Sequence, residues 1–174
     1  MTLAEYSRQA LSTWAVDPVA EPERARTHAA LMLVAESGGV AGLYQKSVGQ
    51  LHPIDNDRVV DELGDVLWAL AAFVRSRRWD WPADADGIAG GIHGPLYPGE
   101  YAEIALDLAA TAISCIEWHG EGAPSDVPAL LWYLSLLACH HDATLPIVMQ
   151  RNIDKLAARY PNGFTPAASI HRTA

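Results

Sequence analysis

The strongest constraint on this chain is the stretch Asp61-Glu62-Leu63-Gly64-Asp65-Val66-Leu67-Trp68-Ala69-Leu70, which opens with charge and stays apolar through Val74. Leu63, Val66, Leu67 and Leu70 recur at helical spacing, so the stretch is predicted to be a helix with those four residues toward a core. Glu62 and Asp65 are three apart, which on a helix places both carboxylates on one face, about 5–6 Å apart at Cβ. Like charges beside an apolar stripe repel and must be offset. A divalent cation is the simplest offset, because Mg²⁺ takes oxygen ligands and is commonly held by a few carboxylates plus substrate phosphates. The alternative is a solvated acidic turn near a helix start, where the macrodipole favours carboxylates.

The rest of the chain reads as helices, so the expected fold class is all-α, a helical bundle within one domain spanning 1–174. Residues 3–16 carry Leu3, Tyr6, Ala10, Leu11 and Trp14 at helical spacing. Pro22 is placed to open a second helix over about 22–48, since proline suits the first turn. In that helix Leu31, Val34, Gly38 and Leu43 are expected to face inward, with Glu36 among them. Ser37, Gly38, Gly39 and Gly42 suggest close approach of another helix or of a ligand, because each glycine otherwise costs about 1 kcal/mol against alanine. A third helix is expected from near Asp57 to about Arg77. The proline- and glycine-rich run 79–98 is expected to be a long connection. Further helices are expected over about 99–119, 125–140 with Ser125 as N-cap, and 143–160. Pro161-Asn162-Gly163 ends the last of them, before a loose tail from Thr165.

Two segments repeat without gaps. Asp126-Val-Pro-Ala-Leu-Leu-Trp132-Tyr-Leu aligns with Glu62-Leu-Gly-Asp-Val-Leu-Trp68-Ala-Leu, so that Trp132 falls on Trp68 and Leu134 on Leu70. The chain therefore reads as a duplicated helical hairpin. The first copy, 25–78, keeps the carboxylates. The second, 99–140, keeps Asp126 where Glu62 stands but has lost the rest: Ala129 stands where Asp65 does, and Ala109 and Ala112 stand where Glu36 and Gly39 do.

Charge narrows the partners. The net charge is −9, which argues against nucleic acid, whose phosphates need a basic face. No run of about 18 apolar residues suggests a membrane span. Cys115 and Cys139 lack CxxC pairing and read as buried thiols of a reducing, cytoplasmic compartment. The adjacent His140 and His141 diverge on a helix, which disfavours a zinc site. Glu100, Glu103 and Asp107 read as an exposed acidic face.

Three blocks together resemble a known family. Leu33-Val-Ala-Glu36-Ser-Gly-Gly-Val-Ala-Gly-Leu43, then Asp61-Glu-Leu-Gly-Asp-Val-Leu-Trp68, then Asn152-Ile-Asp-Lys155-Leu-Ala-Ala-Arg159-Tyr-Pro-Asn-Gly-Phe164 are similar to the MazG-like nucleoside triphosphate pyrophosphohydrolases. The resemblance implies an all-α, oligomeric, Mg²⁺-dependent hydrolase, with Mn²⁺ as the alternative ion. Such an enzyme cleaves a nucleoside triphosphate to the monophosphate and pyrophosphate. It assigns Glu36, Glu62 and Asp65 as metal ligands and catalytic carboxylates. It assigns His28, Lys46, Asn152, Lys155 and Arg159 to the substrate. In the family an ExxE precedes the ExxD; here Gly39 replaces the second glutamate of the ExxE. Ordinary relatives dimerise, so this chain is expected to be a homodimer or to carry the pseudo-dimer internally. The other reading is a degenerate, non-hydrolytic module that binds nucleotide or a partner protein.

Overall fold

The computed structural model describes residues 1–91, 100–117, 125–161 and 163–165 of the 174. Among these the chain is a helical bundle without strands: α1 (Leu3–Ala10), a 3₁₀ turn (Leu11–Thr13), α2 (Pro22–Gln50), α3 (Asn56–Arg77), α4 (Ala85–Ala89), α5 (Glu100–Glu117), α6 (Asp126–His140) and α7 (Leu145–Arg159). Asn162, the turn at 120–124, the Glu100 side chain and the tail from 166 lie outside the described residues. No helix among the described residues is long and apolar enough to cross a membrane.

The organising stretch forms α3, and it is the centre of the core. Leu63, Val66, Leu67, Leu70 and Phe73 are completely buried. Helix α2 packs along α3 and also against α5, α5 packs on α6, and α7 lies across α3. Pro22 does stand in the first turn of α2. At the other end of the chain's first helix, Thr2 caps α1 in a reciprocal bond pair with Glu5, which satisfies orphan amides of the first turn.

Four expectations are corrected. The first helix gives way at Leu11 to a 3₁₀ turn ending at Thr13, well short of 16. The inward face of α2 is Ala25, Ala29, Leu33, Ser37, Val40 and Tyr44, while Leu31 is 66% exposed. The inward stripe follows the register of Leu33, Val40 and Tyr44, with alanine and serine between them, as α2 packs against both α3 and α5. Within the 79–98 connection the chain forms α4, whose Ala85 and Ala89 are buried. Its Asp86 Oδ1 accepts a 2.7 Å bond from the Leu3 amide, which ties it to α1. Finally, Ser125 has helical backbone angles and makes no side-chain capping bond.

His141, just beyond α6, joins three helices. Its Nε2 accepts from the Tyr44 hydroxyl of α2 at 2.7 Å, and its Nδ1–H donates to Asn56 Oδ1 of α3 at 2.8 Å. Acceptance at Nε2 requires the neutral ring. Burial, and next the neighbouring His140, lower the His141 pKa to about 4. The unfolded chain takes up this proton near pH 6.5, so it binds more protons than the folded chain between pH 6.5 and 4. Stability contributed by His141 is therefore intact above pH 6.5 and declines on acidification through that window. The urea midpoint of His141→Gln should depend less on pH between 6.5 and 4 than that of the wild type; parallel curves would refute this role.

Candidate metal and phosphate site

Glu36 comes from the middle of α2, and Glu62 and Asp65 from the first half of α3. All three are half-buried, and each offers an oxygen within 4.8 Å of the others'. Two oxygens on one Mg²⁺ stand roughly 3–4 Å apart, given octahedral bonds of about 2.0–2.1 Å. The three carboxylates thus need only a small contraction to share one ion. Among the described residues this is the one group of acidic or thiol and imidazole ligands with such convergence. Glu103 and Asp107 are exposed on α5 and do not join it.

Gly39 faces the same place. A Cβ built on it would meet Glu62 Oε2 at 3.3 Å, whereas Gly38 and Gly42 would meet nothing within 4 Å. The expected close approach at those two glycines is therefore absent, and Gly39 alone borders the acidic group.

Helix α7 supplies the counter-charge. Lys155 Nζ lies 2.7 Å from Asp65 Oδ1 and donates to the Asp61 carbonyl at 3.2 Å. Arg151, one turn earlier, bridges Asp57 at 2.7 Å and Asp61 at 2.9 Å, which anchors α7 along the start of α3. The spacing of Lys155 and Arg159 places both on the site's side of α7, and Arg159 lines the cavity described below.

Asn152 has a different role from the one expected. It is buried, and its amide is used up between two other helices. Its Oδ1 accepts from the Tyr6 hydroxyl of α1 at 2.8 Å, and its Nδ2 donates to Asp65 Oδ1 at 3.3 Å. Burial first, and then the Asp65 charge, hold the Tyr6 pKa well above its ordinary value, so the phenol keeps the proton it donates. Asn152 thus positions Asp65 and is not among the residues that line the cavity. Lys46 is also misplaced by the sequence reading. It is exposed, ten residues beyond Glu36 and hence about 15 Å along the helix axis, and it does not line the cavity.

The cavity beside the carboxylates has a volume of about 430 Å³ and is lined by Glu36, Asp65, Arg159, His28, Trp14 and Trp68 among others. That volume lies within the range of small-molecule pockets. Trp14 and His28 lie nearly parallel, and the Trp14 indole N–H donates to His28 Nδ1 at 3.1 Å. Burial, then the Arg24 charge, lower the His28 pKa, in keeping with a ring that accepts at Nδ1. Trp68 is fixed by a 3.1 Å bond from its indole to the Ala10 carbonyl. Of the tryptophans and tyrosines that could stack on a base, Tyr44, Trp79 and Trp81 lie elsewhere. Sequence reasoning missed Met32, Tyr160 and Phe164, which complete the apolar wall. Tyr160 and Phe164 carry a hint as members of the C-terminal block; Met32 carries none.

No family model, curated protein or solved structure matches the chain.

Gly64 lets α7 come this close. A Cβ there would lie 3.0 Å from Asn152 Cβ and 3.2 Å from Nδ2. Gly64→Ala should destabilise by about 1–3 kcal/mol, the usual cost of overpacking. The loss should persist in an Asn152→Ala background, because Cβ is the atom met. Urea unfolding of both variants tests this, and a wild-type midpoint for Gly64→Ala would overturn it.

Proposed function

We propose that this chain is a divalent-metal-dependent hydrolase of nucleoside triphosphates, releasing pyrophosphate and the monophosphate. The observation that carries the reading is the convergence of Glu36, Glu62 and Asp65 beside a cavity with an aromatic wall and Arg159. Phosphoryl transfer needs little covalent work from a protein; it needs positioning and charge neutralisation. Charge arithmetic suits one ion. Three carboxylates less Lys155 leave −2, which one divalent cation neutralises.

Glu36, Glu62 and Asp65 would hold Mg²⁺ or Mn²⁺, which when bound supplies Lewis-acid stabilisation of phosphoryl oxygens. The remaining work falls to the chain. Arg159 offers a planar fork suited to a phosphate. Lys155, which does not itself line the cavity, holds Asp65 in place. Trp14, His28 and Trp68 offer flat faces for a base. A carboxylate of the triad not engaged by the ion can accept the proton of the attacking water.

The MazG-like resemblance and the duplicated hairpin belong to the same proposal. In support, the aligned positions share burial: Leu63 with Val127, Val66 with Leu130, Leu67 with Leu131, Leu70 with Leu134 and Phe73 with Leu137 are all buried pairs. On this reading α5 and α6 stand where a second subunit's hairpin would pack. The second reading, a binding module without turnover, is favoured by Gly39, which withholds a fourth carboxylate.

Two experiments decide between them. In calorimetric titration, Mg²⁺ or Mn²⁺ should bind the wild type and fail to bind Asp65→Ala; equal binding would move the site elsewhere. In a pyrophosphate-release screen over the common nucleoside triphosphates, the wild type should show low activity that Asp65→Ala abolishes. Gly39→Glu should raise that activity. Its added Cβ meets only the mobile end of Glu62, and glutamate is the better helix former by up to about 1 kcal/mol. An inert wild type together with a folded, equally inert Gly39→Glu would defeat the enzyme reading and leave the binding module.

A further inference from the structure

A second cavity, of about 360 Å³, opens on another side of α1, between it, the last turn of α3 and the segment that follows. Arg8, Arg75 and Arg78 line it, together with Trp79 and Trp81, and Asp80 is its one lining carboxylate. The lining therefore carries +2 in a chain of −9. Among the described residues none of these three arginines forms an ion pair, whereas Arg24, Arg26, Arg151 and Lys155 all do. The field of Arg75 reaches Asp17 only weakly: the Asp17 pKa is lowered first by the Val19 and Ala20 amides, and least by Arg75.

The two indoles are held in advance. Trp81 donates from its indole to Ser7 Oγ at 3.1 Å. Trp79 packs edge-on against Phe73 at 5.8 Å between centroids, with the Arg77 guanidinium 5.7 Å from its own ring centroid. The macrodipole of α3 accounts for a basic residue such as Arg75 in its last turn. The same effect places Arg8 in the last turn of α1, but it does not account for two helix ends and two ordered indoles bordering one concavity.

We propose that this cavity binds a phosphate-bearing aromatic small molecule of the nucleotide class, at a site separate from the acidic pocket. Guanidinium forks match phosphate oxygens in geometry and charge. Indole faces accept any base by stacking. The volume suits a small ligand. The acidic group that could hold a metal lies in the other cavity, so this second site binds without turnover. The inference is independent of the hydrolase reading, since it uses none of the same residues.

The test follows the indole N–H resonances of the ¹⁵N-labelled full chain without divalent cations. Trp79 and Trp81 are assigned by replacing each with Phe. Adenosine 5′-monophosphate should shift both signals saturably, and should do so equally in a Trp14→Ala background. Inorganic phosphate should bind about fivefold more weakly, because it lacks the ring that stacks. The double variant Arg8→Gln, Arg75→Gln, with its circular dichroism unchanged, should weaken binding about tenfold through lost charge-assisted bonds. Shifts confined to Trp14 and Trp68 would overturn the proposal, as would equal affinity for phosphate and the nucleotide, or a double variant that binds like the wild type.

Discussion

Three carboxylates with oxygens within 4.8 Å of one another are the constraint to which the surrounding structure answers. Such a group is expensive to hold, because like charges near a low-dielectric wall repel more strongly than in bulk water. The chain offsets the cost locally. Lys155 reaches Asp65 from α7, Arg151 neutralises the acidic approach to the same turn of α3, and the Asn152 amide adds a donor to Asp65. All three offsets come from one face of one helix. The position of α7 is thus set by the ion pairs of Arg151 and Lys155 along one edge and by the buried stripe Val148, Met149, Asn152 and Leu156, of which Asn152 is the polar member.

The parts of this site that were legible in the sequence are those governed by local geometry. Glu62 and Asp65 share a face because three residues make nearly a turn, and Lys155 and Arg159 because four do. Glu36 was placed with them by the resemblance of its block, not by any spacing, since α2 and α3 meet through tertiary packing. The register of α2 was misread for a physical reason. Leu31 and Leu33 lie two apart and cannot share a helix face; the stripe through Leu33, Val40 and Tyr44 is buried with its small residues, which leaves Leu31 outside. Helix α4 escaped notice because five residues give too little periodicity to detect. The resemblance of its block assigns Asn152 to the substrate; its partner Tyr6 lies 146 residues away, so no local spacing reveals the bond that holds it. The arginine-lined cavity was invisible for the same reason: Arg8 and Arg75 meet only once the chain is folded.

The two cavities divide the molecule's electrostatics. An acidic group lines one and a basic set lines the other. Helix α1 contributes Ser7 and Arg8 to the basic side and Tyr6 to the hydrogen-bond chain behind Asp65. Its short length is compensated by side-chain bonds at its edges, from Thr2 and Glu5 at the start and from Asp86 of α4.

The Tyr6–Asn152 bond spans 146 residues of sequence, and this has a consequence for how the protein comes into being. A contact of that separation forms only after much of the chain's conformational freedom has been surrendered. During synthesis α1, α2 and α3 emerge long before α7, so the crowded carboxylates exist for a time without Lys155, Arg151 or Asn152. Until α7 follows, the α2–α3 segment carries its acidic residues without the lysine, arginine and amide that meet them in the folded chain. The acidic site is complete only once the last helix to be made has reached the α3 aspartate and the first has closed the Tyr6 bond behind it.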